Sequence, residues 1–331
     1  MNGARAFVCG IALLSLAALG ACGSMPAALD PHGSDARQTA RIAWVLFAGG
    51  GLIFALVMAL AAWALFARPK HRAWLKRQQF VVGAGIVFPV LTLSALLVYT
   101  FKAAGEPVNV NDALPVKIEI VGEMWWWRVH YLDANGAIML VSANEVHIPV
   151  GRTIEFSLKS ADVLHSFWIP NLAGKLDLIP GRVNVLRMKA ERAGVFRGQC
   201  AEFCGAQHAK MAFHVVAHAA PEFDAWLAAQ HAPATNPPTP ALAQGSALFI
   251  AHCGACHTVR GTPAAGQLGP DLTHAGSRLW IGAGTLPNNA GTIAGWITDS
   301  QHLKPANRMP SFDRFTGDEL RVLAAYVESL Q

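Results

Sequence analysis

Two short stretches of this 331-residue chain concentrate side chains able to hold a redox centre. The first is Cys200-Ala-Glu202-Phe-Cys204-Gly-Ala-Gln-His208-Ala-Lys-Met211, which gathers two thiols, an imidazole and a thioether within twelve residues. His165 stands 35 residues upstream of Cys200, in Asp162-Val-Leu-His165-Ser-Phe-Trp-Ile-Pro. Soft sulfur with imidazole suits copper or zinc. Structural zinc is satisfied by His165, Cys200, Cys204 and His208 alone and has no use for Met211. A mononuclear blue-copper site takes one Cys and two His with a weak axial Met, and this segment has one Cys more. Two thiolates can instead bridge two coppers, each capped by one His and one weak ligand. Sharing one electron between two metals spreads the charge change, so bond lengths alter little and transfer is fast. On the residues alone, a zinc site and a Cys200–Cys204 disulfide stay open as alternatives.

The second stretch is Cys253-Gly-Ala-Cys256-His257, the C-x-x-C-H form of a c-type haem attachment site. The two thiols form thioethers with the haem vinyl groups, and His257 follows at the reach needed to ligate the iron. A thioredoxin-like C-x-x-C wants a βαβ context, which the flanking sequence lacks. The sixth iron ligand should lie far along the chain. Met309, in Lys304-Pro-Ala-Asn-Arg308-Met309-Pro310, is the best placed, because a Met in a Pro-bounded loop suits a core poorly. Met/His ligation raises the iron potential, as electron transfer requires. A five-coordinate gas-sensing haem is the alternative, and the haem spin state separates the two. The remaining histidines, including His147, His214, His218, His231, His252, His274 and His302, give no further ligand set and read as surface or strand residues.

These stretches need elements to position them. Hydrophobic residues make up 53% of the chain and charged residues 14%, against roughly 25% charged in soluble domains. Disorder and collagen are excluded. The net charge of +5 is uneven: residues 1–102 carry nine Lys/Arg and two acids, and residues 103–331 carry seventeen and nineteen. A basic excess beside apolar segments reads as membrane orientation, and no nucleic-acid partner is expected. Residues 1–22 read as an export signal, with Arg5 ahead of a charge-free run from Ala6 to Ala21. The run ends in Leu19-Gly20-Ala21-Cys22, which resembles a bacterial lipoprotein cleavage box and would leave Cys22 free for lipid attachment. An ordinary signal peptide is the alternative. Residues 23–40 read as a flexible lead-in.

Residues 41–102 read as a transmembrane hairpin. Ile42 to Ala67 is charge-free, as is Phe80 to Phe101, where Pro89 predicts a kink. Arg68, Lys70, Arg72, Lys76 and Arg77 lie between them with no acid, so this connector is expected on the cytoplasmic side. Residues 103–230 then face the other side. Within them, Val116 to Ile120 and Ile154 to Leu158 alternate with period two, and shorter runs near 125–132, 182–189, 194–199 and 210–217 suggest an all-β sandwich or barrel. Residues 231–240 hold four prolines and read as a semi-rigid extended linker. Residues 241–331 read as helical, with helices at Ala241 to His257, at Thr292 to Leu303, and from Thr316, where Glu319 completes a capping box. Leu320, Leu323, Val327 and Leu330 form the apolar stripe of the last.

Over roughly residues 40–230 the chain resembles subunit II of the haem–copper cytochrome c oxidases. The resemblance rests on His165-Ser-Phe-Trp-Ile-Pro, on Lys175-Leu-Asp177-Leu-Ile-Pro-Gly-Arg182 and on Gly198-Gln-Cys200-Ala-Glu202-Phe-Cys204-Gly205. It implies a cupredoxin domain with the binuclear copper centre CuA. By that resemblance Cys200 and Cys204 bridge the coppers and His165 and His208 bind terminally. Met211 and the Glu202 carbonyl are then the weak ligands. The Glu202 side chain reaches a Mg²⁺ at the junction with subunit I, and Asp162 supports His165. In Glu123-Met-Trp125-Trp126-Trp127, Trp125 stands where electrons enter in the family. Many members carry an acid near the start of the second membrane helix; here Gln78 and Gln79 stand there, which puts that proton-channel mouth in doubt. Residues 241–331 resemble class I cytochrome c, with Leu268-Gly269-Pro270-Asp271 matching the loop whose Pro carbonyl orients the iron-ligating His.

The resemblance implies the electron-accepting subunit of an aerobic oxidase in a bacterial inner membrane. Its partners would be subunit I and other oxidase subunits, with an upstream cytochrome c or cytochrome c reductase complex as donor. Electrons would pass from haem c to CuA and on to subunit I, where oxygen becomes water with proton translocation. Nitrous oxide reductase also uses CuA but needs a large His-rich catalytic domain, for which the chain has no room. A membrane-tethered carrier outside any oxidase and a copper chaperone are the other readings. A tether replaces diffusional encounter by an effective concentration of order millimolar, so weak salt dependence is expected of the internal transfer.

Overall fold

The computed structural model describes residues 27–104 and 115–331. The export signal and Cys22 lie outside the described residues. The charge-free run from Ile42 continues backwards as helix to form α1, Ser34–Phe66. Its 33 residues extend about 50 Å, well beyond an apolar bilayer core of about 30 Å. The surplus turns reach the β domain, where Ala36 and Ala40 are buried. The lead-in read as flexible is tied down wherever it is described. His32 N–H donates to Asn171 O at 2.7 Å, Glu191 N–H donates to His32 O at 2.8 Å, and Arg37 pairs with Glu191. Its small polar residues leave the backbone free to pair, which composition alone does not show.

The second apolar helix, α2, spans Gln78–Ala103. Pro89 lacks an N–H and crowds the carbonyl four residues earlier. The helix accommodates this by widening into a π turn over Gly83–Val87 rather than by breaking. Neither apolar span is buried within the protein, as expected of helices that face lipid. In the connector, Arg72 Nη1 donates to Ala64 O at 2.5 Å, which folds a cation back over the end of α1.

The alternating runs form a sandwich of two five-stranded sheets. One runs β3-β2-β1-β5-β8 and the other β4-β10-β9-β6-β7. The strands are β1 (Val116–Glu123), β2 (Trp126–Leu132), β3 (Ile138–Ala143), β4 (Glu145–Pro149), β5 (Ile154–Ser160), β6 (His165–Trp168), β7 (Leu176–Leu178), β8 (Asn184–Met188), β9 (Gly194–Cys200) and β10 (Ala212–His218). The corner between β3 and β4 is a single residue, Asn144, at φ 60°. Its side chain caps the turn by accepting from Trp127 N–H at 2.9 Å, and Asn tolerates this left-handed conformation. Trp127, Phe156, Phe167 and Phe213 are fully buried between the sheets. Helix α3, Ala220–Gln230, closes the domain with Phe223 buried.

Beyond the prolines the chain is helical: α4 (Pro240–His252), α5 (Ala290–Leu303) and α6 (Gly317–Ser329), with a two-residue hairpin pair at Trp280–Ile281 and Leu286–Pro287. The Thr316/Glu319 capping box forms as its spacing predicts. Leu323, Val327 and Leu330 of the stripe are buried with Phe249, Ile293 and Ile297, and Leu320 packs at the edge. Helix α4 stops at His252, short of the predicted His257, with Cys253 as its C-cap. The attachment motif thus sits in the turn that follows.

The proline segment does not hang free. Ala234 N–H donates to Arg260 O at 2.9 Å, and Arg260 Nη2 donates to Gln230 O at 2.6 Å. The helical domain is seated on the sandwich mainly through cations that donate to carbonyls. Arg128 reaches Gln267 O (2.9 Å), Lys210 reaches Leu303 O (2.6 Å) and Arg197 reaches Gly284 O (3.3 Å). Ala212 N–H donates to Ala283 O at 3.0 Å, and His214 stacks on Trp280 at 5.3 Å.

Candidate metal centre and haem attachment site

β6 opens on His165, and β9 ends on Cys200 in the neighbouring strand, where Phe167 is paired with Cys200. The sheet therefore supplies one imidazole and one thiolate, and the loop to β10 supplies the rest. Cys200 Sγ lies 3.9 Å from His165 Nδ1, 3.8 Å from Cys204 Sγ and 3.1 Å from Glu202 O. Cys204 Sγ lies 3.7 Å from His208 Nδ1 and 3.8 Å from Met211 Sδ. The six atoms anticipated from the sequence meet in one place. His165, Cys200, Cys204 and Met211 are all buried. The sulfurs are far outside the roughly 2.05 Å of a disulfide bond, and both cysteines are free. Met211 and the Glu202 carbonyl exceed the four donors a structural zinc takes. The donor set, two thiolates between two imidazoles with two weak ligands, fits a copper pair.

The surroundings fix how each ligand points. His165 Nε2–H donates to Asp162 Oδ1 at 2.9 Å, which leaves Nδ1 facing Cys200. Burial works to raise the Asp162 pKa, but hydrogen bonds from His165 and from the N–H groups of Met124 and Val163 hold it below the usual carboxylate value. It stays ionised and steers the ring. Hydrogen bonding between the two thiols pulls Cys200 well below the usual thiol value while Cys204 is pushed up, as two close thiols sharing one proton require. A residue with no chemistry of its own completes the pocket. A Cβ on Gly122 would stand 2.8 Å from His165 Cδ2, so only Gly lets β1 pass beneath the ring. Nothing in the sequence pattern marked it. Replacing Asp162 with Asn should lower copper affinity about 10- to 100-fold through loss of ring orientation. Equilibrium dialysis against a copper chelator reads this, and unchanged affinity would dismiss the Asp162 role.

Trp125 is 8% exposed. Its indole N–H donates to Cys204 O at 2.8 Å, joining it directly to the metal loop. The Glu202 carboxylate, by contrast, is 42% exposed and lies 3.5 Å from Lys175 Nζ. Gln78 and Gln79, both exposed, begin α2.

In the helical domain His257 Nδ1–H donates to Pro270 O at 2.8 Å, leaving Nε2 with its lone pair for a metal. Burial holds the ring below its ordinary pKa despite that bond, so it is neutral at pH 7, the ligating form. Gly269 presses on the same ring: a Cβ there would lie 2.5 Å from His257 Cε1. Cys253 is half-buried and Cys256 exposed, both free. Cys253 and Met309 pack against the same buried cluster. Asn307 Oδ1 accepts from Met309 N–H at 2.7 Å, and Ser300 Oγ donates to Met309 O at 2.9 Å, so the loop that carries the thioether is fixed. Two free thiols, a neutral imidazole with one nitrogen available and a fixed thioether loop suit a covalent haem.

The family described as "Cytochrome C oxidase subunit II, periplasmic domain" matches residues 130–218, and "Cytochrome c" matches residues 242–331. The chain is 36% identical to cytochrome c oxidase subunit 2 of Alkalihalophilus pseudofirmus over 247 residues, covering 74% of this chain and 69% of that one. It is 32% identical to cytochrome c oxidase subunit 2 of Bacillus sp. strain PS3 over 263 residues, covering 74% and 72%. A solved structure of the periplasmic domain of subunit II of the Bradyrhizobium japonicum cytochrome oxidase shares 32% identity at a TM-score of 0.33, covering 35% of this chain and 92% of that one.

Proposed function

Since the chain belongs to the cytochrome c oxidase subunit 2 family, we propose that it takes electrons at a c-type haem on its helical domain and hands them through CuA to subunit I. It is a subunit II that carries its own cytochrome c domain, assembles with other oxidase subunits and is a membrane protein with periplasmic domains. The convergence of His165, Cys200, Glu202 O, Cys204, His208 and Met211 at one unbridged pair of sulfurs carries this reading. When bound, the haem and the copper pair each carry one electron at a time, with little change in geometry.

The chain's own residues hold and connect these groups. Cys200, Cys204, His165 and His208 would hold the copper pair, with Glu202 O and Met211 Sδ as its weaker donors. Cys253 and Cys256 would hold the porphyrin covalently, and His257 and Met309 would supply the donors for its iron. Trp125, hydrogen-bonded to the Cys204 carbonyl, is where electrons reach the copper domain. The exposed Glu202 carboxylate, paired at 3.5 Å with Lys175, would hold a Mg²⁺ at the junction with subunit I in place of that pairing. The donor is a cytochrome c or a cytochrome c reductase complex. The membrane is the bacterial inner membrane, and Cys22 is its lipid anchor. Proton uptake does not depend on a carboxylate at Gln78 or Gln79; subunit I supplies it, as it supplies the oxygen chemistry.

Optical and electron-spin spectra of the purified chain test this. The expected result is a mixed-valence dicopper signal together with a low-spin c haem, and internal transfer that varies only weakly with salt. A single zinc per chain, or no covalent porphyrin, would overturn it. Internal transfer that collapses as ionic strength rises would remove the docked arrangement, because hydrogen bonds from cations to carbonyls are screened less than exposed ion pairs.

A further inference from the structure

Lys304 is 3% exposed, an unusual place for an ammonium. Its Nζ donates to Trp125 O at 2.6 Å, to Lys210 O at 2.7 Å and to Gly282 O at 3.2 Å. An ammonium has three donors, and each finds a carbonyl. Two of these carbonyls belong to the copper domain and one to the hairpin tip of the helical domain. We infer that Lys304 is the positioning residue that seats the haem-bearing domain on the copper loop and so sets the geometry of internal electron transfer. This rests on the functional reading above.

The three acceptors are not incidental surface. Trp125 is bonded to the Cys204 carbonyl, and Lys210 immediately precedes Met211. On the other side, Asn307 Nδ2 donates to Lys304 O at 2.8 Å and Asn307 Oδ1 receives the Met309 N–H. One run of bonds and hydrogen bonds thus links the Met309 loop to the metal loop through Lys304, whose side chain is the buried joint of that run; Lys210 Nζ, donating to Leu303 O at 2.6 Å, crosses beside it at an exposed position. The hairpin tip is aligned beside it, since Ala283 O accepts from Ala212 N–H and Gly284 O from Arg197. Other bridging contacts are weaker candidates. Arg308 lies 3.7 Å from Asp162 but is 65% exposed, and exposed pairs contribute little. Burial pulls Lys304 down to about 7, with the facing Cys204 working against the shift and Lys210 adding to it. A buried amine with all its donors matched is costly to lose, because truncation takes its donor from the Trp125 and Lys210 carbonyls, while Gly282 O keeps Thr285 Oγ1 at 2.7 Å.

The test uses the full chain within the assembled oxidase. Lys304→Met keeps the volume of the stem and removes every donor. The expected result is haem-to-copper transfer slowed about tenfold or more, with faster hydrogen exchange at the Ala212 amide, whose acceptor lies across the interface. The haem and copper spectra and the haem midpoint potential should be unchanged, which a damaged site would not allow, while the copper potential can move only by the loss of the cation facing Cys204. In Lys304→Ala, added ethylammonium should restore both the rate and the Ala212 protection, and this variant decides the matter if Lys304→Met does not accumulate. Unchanged transfer with unchanged Ala212 protection would overturn the proposal. So would slowed transfer with altered spectra, or an alanine variant that ethylammonium leaves unrestored. An unsubstituted chain lacking c haem or the dicopper signal would instead be a failure of the functional reading, and the Ala212 exchange comparison still tests the latch in that case.

Discussion

Replacing Cys253 and Cys256 together with serine removes all covalently bound porphyrin from the chain. Haem staining of the denatured polypeptide reads this directly, and residual staining at the chain's own size would show that these thiols are not the attachment points. The effect is large because nothing else can substitute. Among the described residues, the only other free cysteines are the buried pair at the metal loop. Electron delivery by the oxidase should fall about a hundredfold or more at micromolar soluble donor, since a tethered donor acts at an effective concentration of order millimolar. The loss is deepened by the way the domain is docked. Lys304 Nζ sits on the Trp125 carbonyl, and Trp125 is 8% exposed, so an external donor meets an obstructed face.

The two ligand sets were legible for a common reason: almost all of each lies within a dozen residues. Cys200 to Met211 turns once from β9 into β10, and Cys253 to His257 turns once after α4, so spacing alone limits the geometry. The strands and helices with clean periodicity, β1, β5 and α6, are where their patterns put them. What was not legible depends on distance along the chain. Lys304 meets partners 179, 94 and 22 residues away, and a single lysine after a helix carries no mark of burial. Gly122 matters only because a strand passes under His165. The corner at Asn144 hid β3 and β4, because their alternation changes sheet at a single residue. The prolines of residues 231–240 do signal an extended backbone, but that backbone is used to lie along Arg260 and not to swing.

Replacing Cys204 with serine should convert the paired copper site into a single-copper one. The surviving donors are His165, Cys200, His208 and Met211, which is the one-Cys, two-His, weak-Met set of a blue-copper centre. Copper content should fall from two per chain to one, and the hyperfine pattern should change from that of two equivalent nuclei to that of one. Transfer to subunit I should drop about a thousandfold or more, because a single metal concentrates the whole charge change and each added 1.36 kcal/mol of barrier is tenfold in rate. The fold should survive. Cys204 stands in the loop after β9, and the backbone ladder between β9 and β10 does not use its side chain. Trp125 bonds to its carbonyl, which serine keeps. Two coppers retained with a delocalised spectrum would mean that Cys204 does not bridge, and the assignment of the pair to these two sulfurs would have to be abandoned.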